Sequence, residues 1–98
     1  MRIVWSPLAL RRASDIADYI AEDNPTAASN WIKTVFEKVE QLSSFPEMVR
    51  IVPEITEQEF RELIYGNYRI IYYFDAEQIS ILTVRHGMQI LPIGEIKA

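Results

Sequence analysis

Apolar residues recur at helical spacing in two consecutive segments of the N-terminal half. Ala9, Ala13, Ile16, Ala17 and Ile20 share one face of a 3.6-residue period, with Arg11, Arg12, Asp15, Asp18 and Glu22 largely on the other. Ser6-Pro7 is a start signal, because serine caps free N–H groups and proline suits the first helical position. The spacing therefore predicts a helix over 7–22. Asp23-Asn24-Pro25 ends it and begins a second, with Asn24 as cap and Ala28, Ile32, Val35, Phe36, Val39 and Leu42 as its apolar stripe. Ser43-Ser44-Phe45-Pro46 stops that helix, since proline cannot continue it. So short a link makes the pair an antiparallel hairpin.

On either side of the hairpin the period drops to two. Arg2-Ile3-Val4-Trp5 reads as a short strand, and Met48 to Glu59, which contains Pro53, as a short strand or extended loop. Arg61–Tyr65 and Tyr68–Phe74 are two strands joined by a Gly66-Asn67 turn. Alternation places Tyr68, Ile70, Tyr72 and Phe74 on one face and Arg69, Ile71 and Tyr73 on the other. After a turn over 75–78, Ile79 to Arg85 is a further strand, with Ile79, Ile81, Thr83 and Arg85 on one side and Ser80, Leu82 and Val84 on the other. With Arg85 facing as Arg69 does, Leu82 and Val84 are expected on the helices beside Ile70 and Tyr72. The tail from His86 carries Pro92 and Gly94. The expected fold is α+β: an N-terminal strand, then an antiparallel two-helix hairpin packed on a small, mainly antiparallel β-sheet. Residues 1–98 suffice for one domain.

Composition narrows the chemistry. The absence of cysteine excludes a disulfide scaffold, thiol catalysis and cysteine-ligated metal. The first seven residues lack the apolar core of a signal peptide, and no run approaches the roughly 20 apolar residues of a membrane span. A cytoplasmic protein without membrane contact is expected. The net charge is −4, and 46–62 holds Glu47, Glu54, Glu57, Glu59 and Glu62 against Arg50 and Arg61. Such a stretch repels a phosphate backbone, so a protein partner fits it better than nucleic acid.

The single histidine, His86, has no cysteines or suitably spaced carboxylates to join it in a zinc site, and the three glycines form no phosphate loop. No metal or cofactor is expected. Arg61, Arg69 and Arg85 come from three strands of one sheet and could converge, with His86 at the end of the last. Arg69 has two readings: a solvated residue on an open sheet face, or a functional cation on a rigid scaffold. Metal-free RNA cleavage needs a base, an acid and a cation for the phosphorane, and Glu54 or His86 with Arg69 meets that description. Trp5 and Trp31 read as core anchors.

Several segments in order resemble the RelE/ParE superfamily of toxins from prokaryotic type II toxin–antitoxin systems. They are Trp5–Ala9, Ile16–Ala28, Leu42–Pro46, Arg61–Leu63, Tyr68–Tyr72 and Val84–Gly87. The resemblance implies the same helices-over-sheet fold and a cognate antitoxin that covers an apolar groove between hairpin and sheet. Two activities diverge in the superfamily. RelE-like members cleave mRNA on the ribosome, for which Arg69, Arg85, His86 and Glu54 would be the catalytic set here; their loop lysines have no counterpart in 51–60. ParE-like members block DNA gyrase, with Arg61, Arg69, Arg85 and His86 as target-binding candidates and no catalytic residues expected. The Asn24-Pro25 junction and Arg85-His86-Gly87 favour the ParE-like branch. A non-toxic interaction module of the same fold is a third reading.

Overall fold

Ser6 fixes the junction between the first strand, β1 (Arg2–Trp5), and the first helix, α1 (Pro7–Asp23). Its Oγ accepts from the Ala9 N–H at 3.0 Å and donates to the Leu82 carbonyl at 3.0 Å, so one hydroxyl caps the helix and ties it to the sheet. Asn24 also serves twice. Its own N–H closes α1 on the Ile20 carbonyl, and its Oδ1 accepts from the Ala27 N–H at 3.0 Å to cap α2 (Pro25–Gln41). Both helices thus begin with a proline whose missing N–H would have been an orphan. The computed structural model describes residues 1–46, 49–55, 59–87 and 94.

The remaining strands are β2 (Arg50–Ile51), β3 (Phe60–Tyr65), β4 (Tyr68–Phe74) and β5 (Gln78–His86), in a five-stranded sheet of order β1-β5-β4-β3-β2. β1 runs parallel to β5, from Arg2 opposite Gln78 to Trp5 opposite Ile81, because the helical hairpin carries the chain back across the sheet. The other pairings are antiparallel. The α+β architecture is the one expected. The turn between β3 and β4 has a positive φ (58°) at Gly66 alone, as a two-residue II′ turn requires. Of the expected segment 48–59, only Arg50–Ile51 forms a strand among the described residues. The tail, apart from His86, Gly87 and Gly94, lies outside them.

Each side of the sheet has its own apolar cluster. Toward the helices, Ala9, Ala13, Trp31, Val35 and Val39 pack on Ile70, Tyr72, Ile79, Ile81 and Val84. The buried Tyr72 hydroxyl donates to the Pro46 carbonyl, and burial holds the phenol well above its ordinary pKa. On the far side Val52 closes over Ile71 and Leu82, with Ile55, Phe60 and Tyr73 around them. Trp31 is buried, and the half-buried Trp5 packs tilted against Phe36 with ring centres 4.6 Å apart, so both indoles serve the core.

One expectation is corrected. Leu82 packs away from the helices, whereas Ile79 and Ile81 pack onto them. The cause is a β-bulge: Ile71 faces Thr83 but Tyr72 faces Ile81, so Leu82 is an extra residue and the alternation resets across it. Val84 returns to the helix side as expected. The Leu82 carbonyl at this bulge is the acceptor for Ser6.

The shared cap gives a specific expectation. Asn24→Ala should cost about 1 kcal/mol in urea unfolding, and Asn24→Gly only a few tenths, because glycine leaves the α2 terminus open to water. No loss in either variant would show that the side-chain cap contributes nothing.

Candidate functional site

Arg69 is the centre of the outer sheet face, and it is not solvated: the residue is 6% exposed. β-alternation points it away from the helices, where the short hairpin places Glu62 diagonally across on β3. Glu62 Oε1 accepts from Arg69 Nε at 2.8 Å and from Nη2 at 2.6 Å. The other Glu62 oxygen accepts from Arg50 Nε on β2, so this fully buried carboxylate bridges two arginines. Beyond β2 the chain turns through Val52 and brings back Glu54, whose two oxygens take Nη1 and Nη2 of Arg69 at 2.9 and 2.8 Å. The guanidinium is thus forked onto one carboxylate and shared with another, the geometry in which arginine pairs most strongly. Hydrogen bonds from Arg69 hold the Glu54 carboxyl below its ordinary value of 4.5, and Glu54, then Glu62, hold Arg69 above its own against the opposing effect of burial.

The other candidates separate. Arg85 stands opposite Arg69 in the β4–β5 register. Arg61 does not converge with them: it pairs with Tyr72 on the helix side, donates to the Val49 carbonyl at 3.0 Å and lies 5.7 Å from the Phe74 ring. Adjacent strand positions alternate, and Arg61 and Glu62 fall on opposite faces. His86 ends β5 opposite Tyr68 and meets its ring edge-on at 5.5 Å; Tyr68 in turn meets Trp31 at 5.3 Å. Glu54 and Arg69 are therefore brought into contact, Arg85 lies beside Arg69, and Arg61 is on the other side of the sheet.

Two open clefts flank this region. One, of about 380 Å³, lies between α1 and the end of β5, lined by Arg12, Asp15, Ile16, Tyr19, Tyr68, Val84, Arg85 and His86. The other, of about 260 Å³, borders Arg69 and is closed by Ile64, the 66–68 turn, His86 and Gly87. Arg12, Asp15 and Tyr19 had no distinguishing signal in the sequence, where they belong to the polar side of an amphipathic helix. Among the described residues no three His, Asp or Glu side chains are grouped to hold a metal ion, and no helix is long and apolar enough to cross a membrane. Chemically the cleft offers the Arg12 and Arg85 guanidiniums, the Asp15 carboxylate and the His86 imidazole between aromatic walls.

Comparison with known proteins gives this geometry its family. Residues 3–91 match the model of the family described as the ParE toxin of the type II toxin–antitoxin system parDE. A protein of Sinorhizobium fredii (strain NBRC 101917 / NGR234) named "Putative toxin Y4kP" is 35% identical over 92 residues, 93% of each chain. A solved structure described as the chromosomal ParDE TA system from P. aeruginosa shares the fold with a TM-score of 0.71, at 19% identity, over 88% of this chain and 95% of that one. The chain belongs to the ParE toxin family, within the RelE/ParE superfamily of type II toxin–antitoxin toxins.

Two outcomes follow from the ion cluster. Arg69→Ala leaves Glu62 buried beside Arg50 alone and should cost about 3 kcal/mol in chemical denaturation, while Glu54→Ala, whose carboxylate is partly solvated, should cost no more than about 1 kcal/mol. The order of these losses is the measurement; a larger loss at Glu54 would contradict the assignment of Glu62 as the obligate counterion. The second concerns acid. The folded Glu54 pKa lies below 4.5, so its ion pair stabilises the protein above that value and the contribution is lost as pH falls through the folded value. Asp75, held below its ordinary value by the N–H groups of Glu77 and Gln78, also contributes stability that acid removes. Stability measured from pH 6 downward should therefore fall less steeply in Glu54→Gln than in the wild type, with the Asp75 contribution unchanged in both.

Proposed function

We propose that this chain is the toxin of a two-gene module, a single domain over residues 1–98 that works in the cytoplasm. It acts in ParE fashion on DNA gyrase to block replication and is neutralised by a cognate antitoxin. The observation that carries this choice within the superfamily is the state of Arg69. Transition-state stabilisation of RNA cleavage asks for a cation aimed at the phosphorane, whereas this guanidinium donates four hydrogen bonds to Glu54 and Glu62. The acidic stretch around 46–62, without the lysines of RelE-like nucleases, supports the same reading. So does the family match over residues 3–91.

In this reading Arg85 and His86 meet the target from the cleft beside α1, and Arg61 and Arg69 hold the sheet that presents them. The antitoxin covers the apolar ground between hairpin and sheet with a segment that folds on binding. The ribosome-dependent mRNA nuclease, with Arg69, Arg85, His86 and Glu54 as its set, is the rival outcome, since Glu54 and Arg69 are in contact.

Induced expression in a bacterial host lacking the antitoxin gene should arrest growth, induce DNA-damage signalling and leave messages intact when their 5′ ends are mapped. Purified protein should inhibit gyrase supercoiling, and Arg85→Ala with His86→Ala should relieve both effects while near-ultraviolet circular dichroism stays native. Codon-specific mRNA cuts would replace gyrase with the ribosome, and unimpaired growth with abundant soluble protein would sink the toxin reading.

A further inference from the structure

The two carboxylates on Arg69 are held very differently. Glu62 is fully buried within β3 and bonded to a second arginine, so it cannot leave without disrupting the strand. Glu54 approaches from the loop after β2, and its side chain is 37% exposed. The loop does not depend on it for anchorage. Val52 is fully buried against Ile71 and Leu82, the Val52 N–H donates to the Phe60 carbonyl, and the Ile55 N–H donates to the Val52 carbonyl. A change of Glu54 rotamer would release the outer edge of the guanidinium and leave the sheet, the loop and the Glu62 bridge in place.

We infer that Glu54 occupies an exchangeable oxyanion site on Arg69, which an acidic side chain of a protein partner enters by displacing it. Nη1 and Nη2 present two parallel donors, spaced for a planar pair of oxygens as Glu54 shows at 2.9 and 2.8 Å. Burial keeps water from competing fully for them. In the cluster Arg50 and Arg69 balance Glu54 and Glu62, and an entering carboxylate takes the place of Glu54 on the guanidinium. A cleft of about 260 Å³, lined by Ile64, the 66–68 turn, His86 and Gly87, borders Arg69.

The surroundings select the kind of partner. The displaced Glu54 stays within reach of the site, and Glu59 lies nearby in sequence in a segment rich in glutamate. A nucleic-acid backbone brings further negative charges into that field and is repelled. A single carboxylate on a protein segment with basic or apolar flanks finds attraction on both counts, with Ile64 available to the apolar ones. This inference rests on the ion-pair geometry and is independent of gyrase as target.

The test follows the Arg69 Nε–H resonance by NMR in the full chain at pH 7 and constant ionic strength, titrating with acetate and, separately, with inorganic phosphate. A tethered side chain competes at an effective concentration in the millimolar range or above, so its removal should strengthen acetate binding at least about tenfold. Glu54→Ala should show a saturable shift with acetate, the wild type a response at least about tenfold weaker, and Glu54→Gln an intermediate one, with phosphate no tighter than acetate in any of them. Near-ultraviolet circular dichroism establishes that each variant is folded, and Glu54→Gln carries the comparison where the alanine variant is not. Absence of a saturable shift in the folded variant, or equal responses in variant and wild type, would overturn the site. Phosphate binding about tenfold tighter than acetate would overturn the choice of a protein carboxylate.

Discussion

A guanidinium cannot escape burial by giving up its proton, so Arg69 must meet anions wherever the fold puts it. Much of the outer half of the sheet is arranged around that requirement. Glu62 reaches Arg69 only in the register set by the two-residue turn at Gly66-Asn67. Its second oxygen then needs a donor, and Arg50 supplies it, which holds the short β2 against β3. The chain beyond β2 brings Val52 onto the outer apolar cluster and Glu54 onto the remaining face of the guanidinium. Register, edge strand and loop are thus three answers to one charge. An apolar side chain at position 69 would ask for none of them, and replacing buried ion networks by apolar groups is often no loss in stability. What the network adds is a definite placement of the short β2 against β3.

The helical half was legible from local pattern because its determinants are local. Ser6 and Asn24 cap within three residues of themselves, and the apolar stripes that follow are the surfaces found against the sheet. β4 was equally plain: Ile70 and Tyr72 lie toward the helices and Ile71 away from them. The alternation failed in β5 because a bulge is a property of the pairing between two strands, and nothing in Ile81-Leu82-Thr83 marks the extra residue. Sequence reasoning also missed what neutralises Arg69. Glu54, fifteen residues away, enters the sequence reading as a candidate base beside the Arg69 cation and not as its counterion. A signal did exist for Glu62: counting back through the Gly-Asn turn makes it the diagonal neighbour of Arg69, and an arginine inside an apolar strand demands such a neighbour.

Family membership and site chemistry answer different questions here. A fold can host more than one activity, and the sheet and hairpin alone do not choose between them. The choice turns on the surroundings of a few side chains: Arg69 tied to two carboxylates, Arg85 and His86 at the mouth of a cleft shared with α1, and Arg61 on the opposite face. The aromatic row from Trp31 through Tyr68 to His86 links that cleft to the core, so the end of β5 is held by packing as well as by hydrogen bonds.

Asn24 bears on how long such a protein lasts in a cell. Proteases cut where a stretch of backbone can leave the fold for a moment, and exposed connections between helices are among their preferred points of entry. Here the connection is a single residue whose backbone finishes one helix while its side chain starts the next, flanked by Pro25. To offer an extended segment to a protease, the ends of both helices must fray together. Cleavage at this end of the molecule is then governed by the undocking of whole helices and not by the motion of a loop.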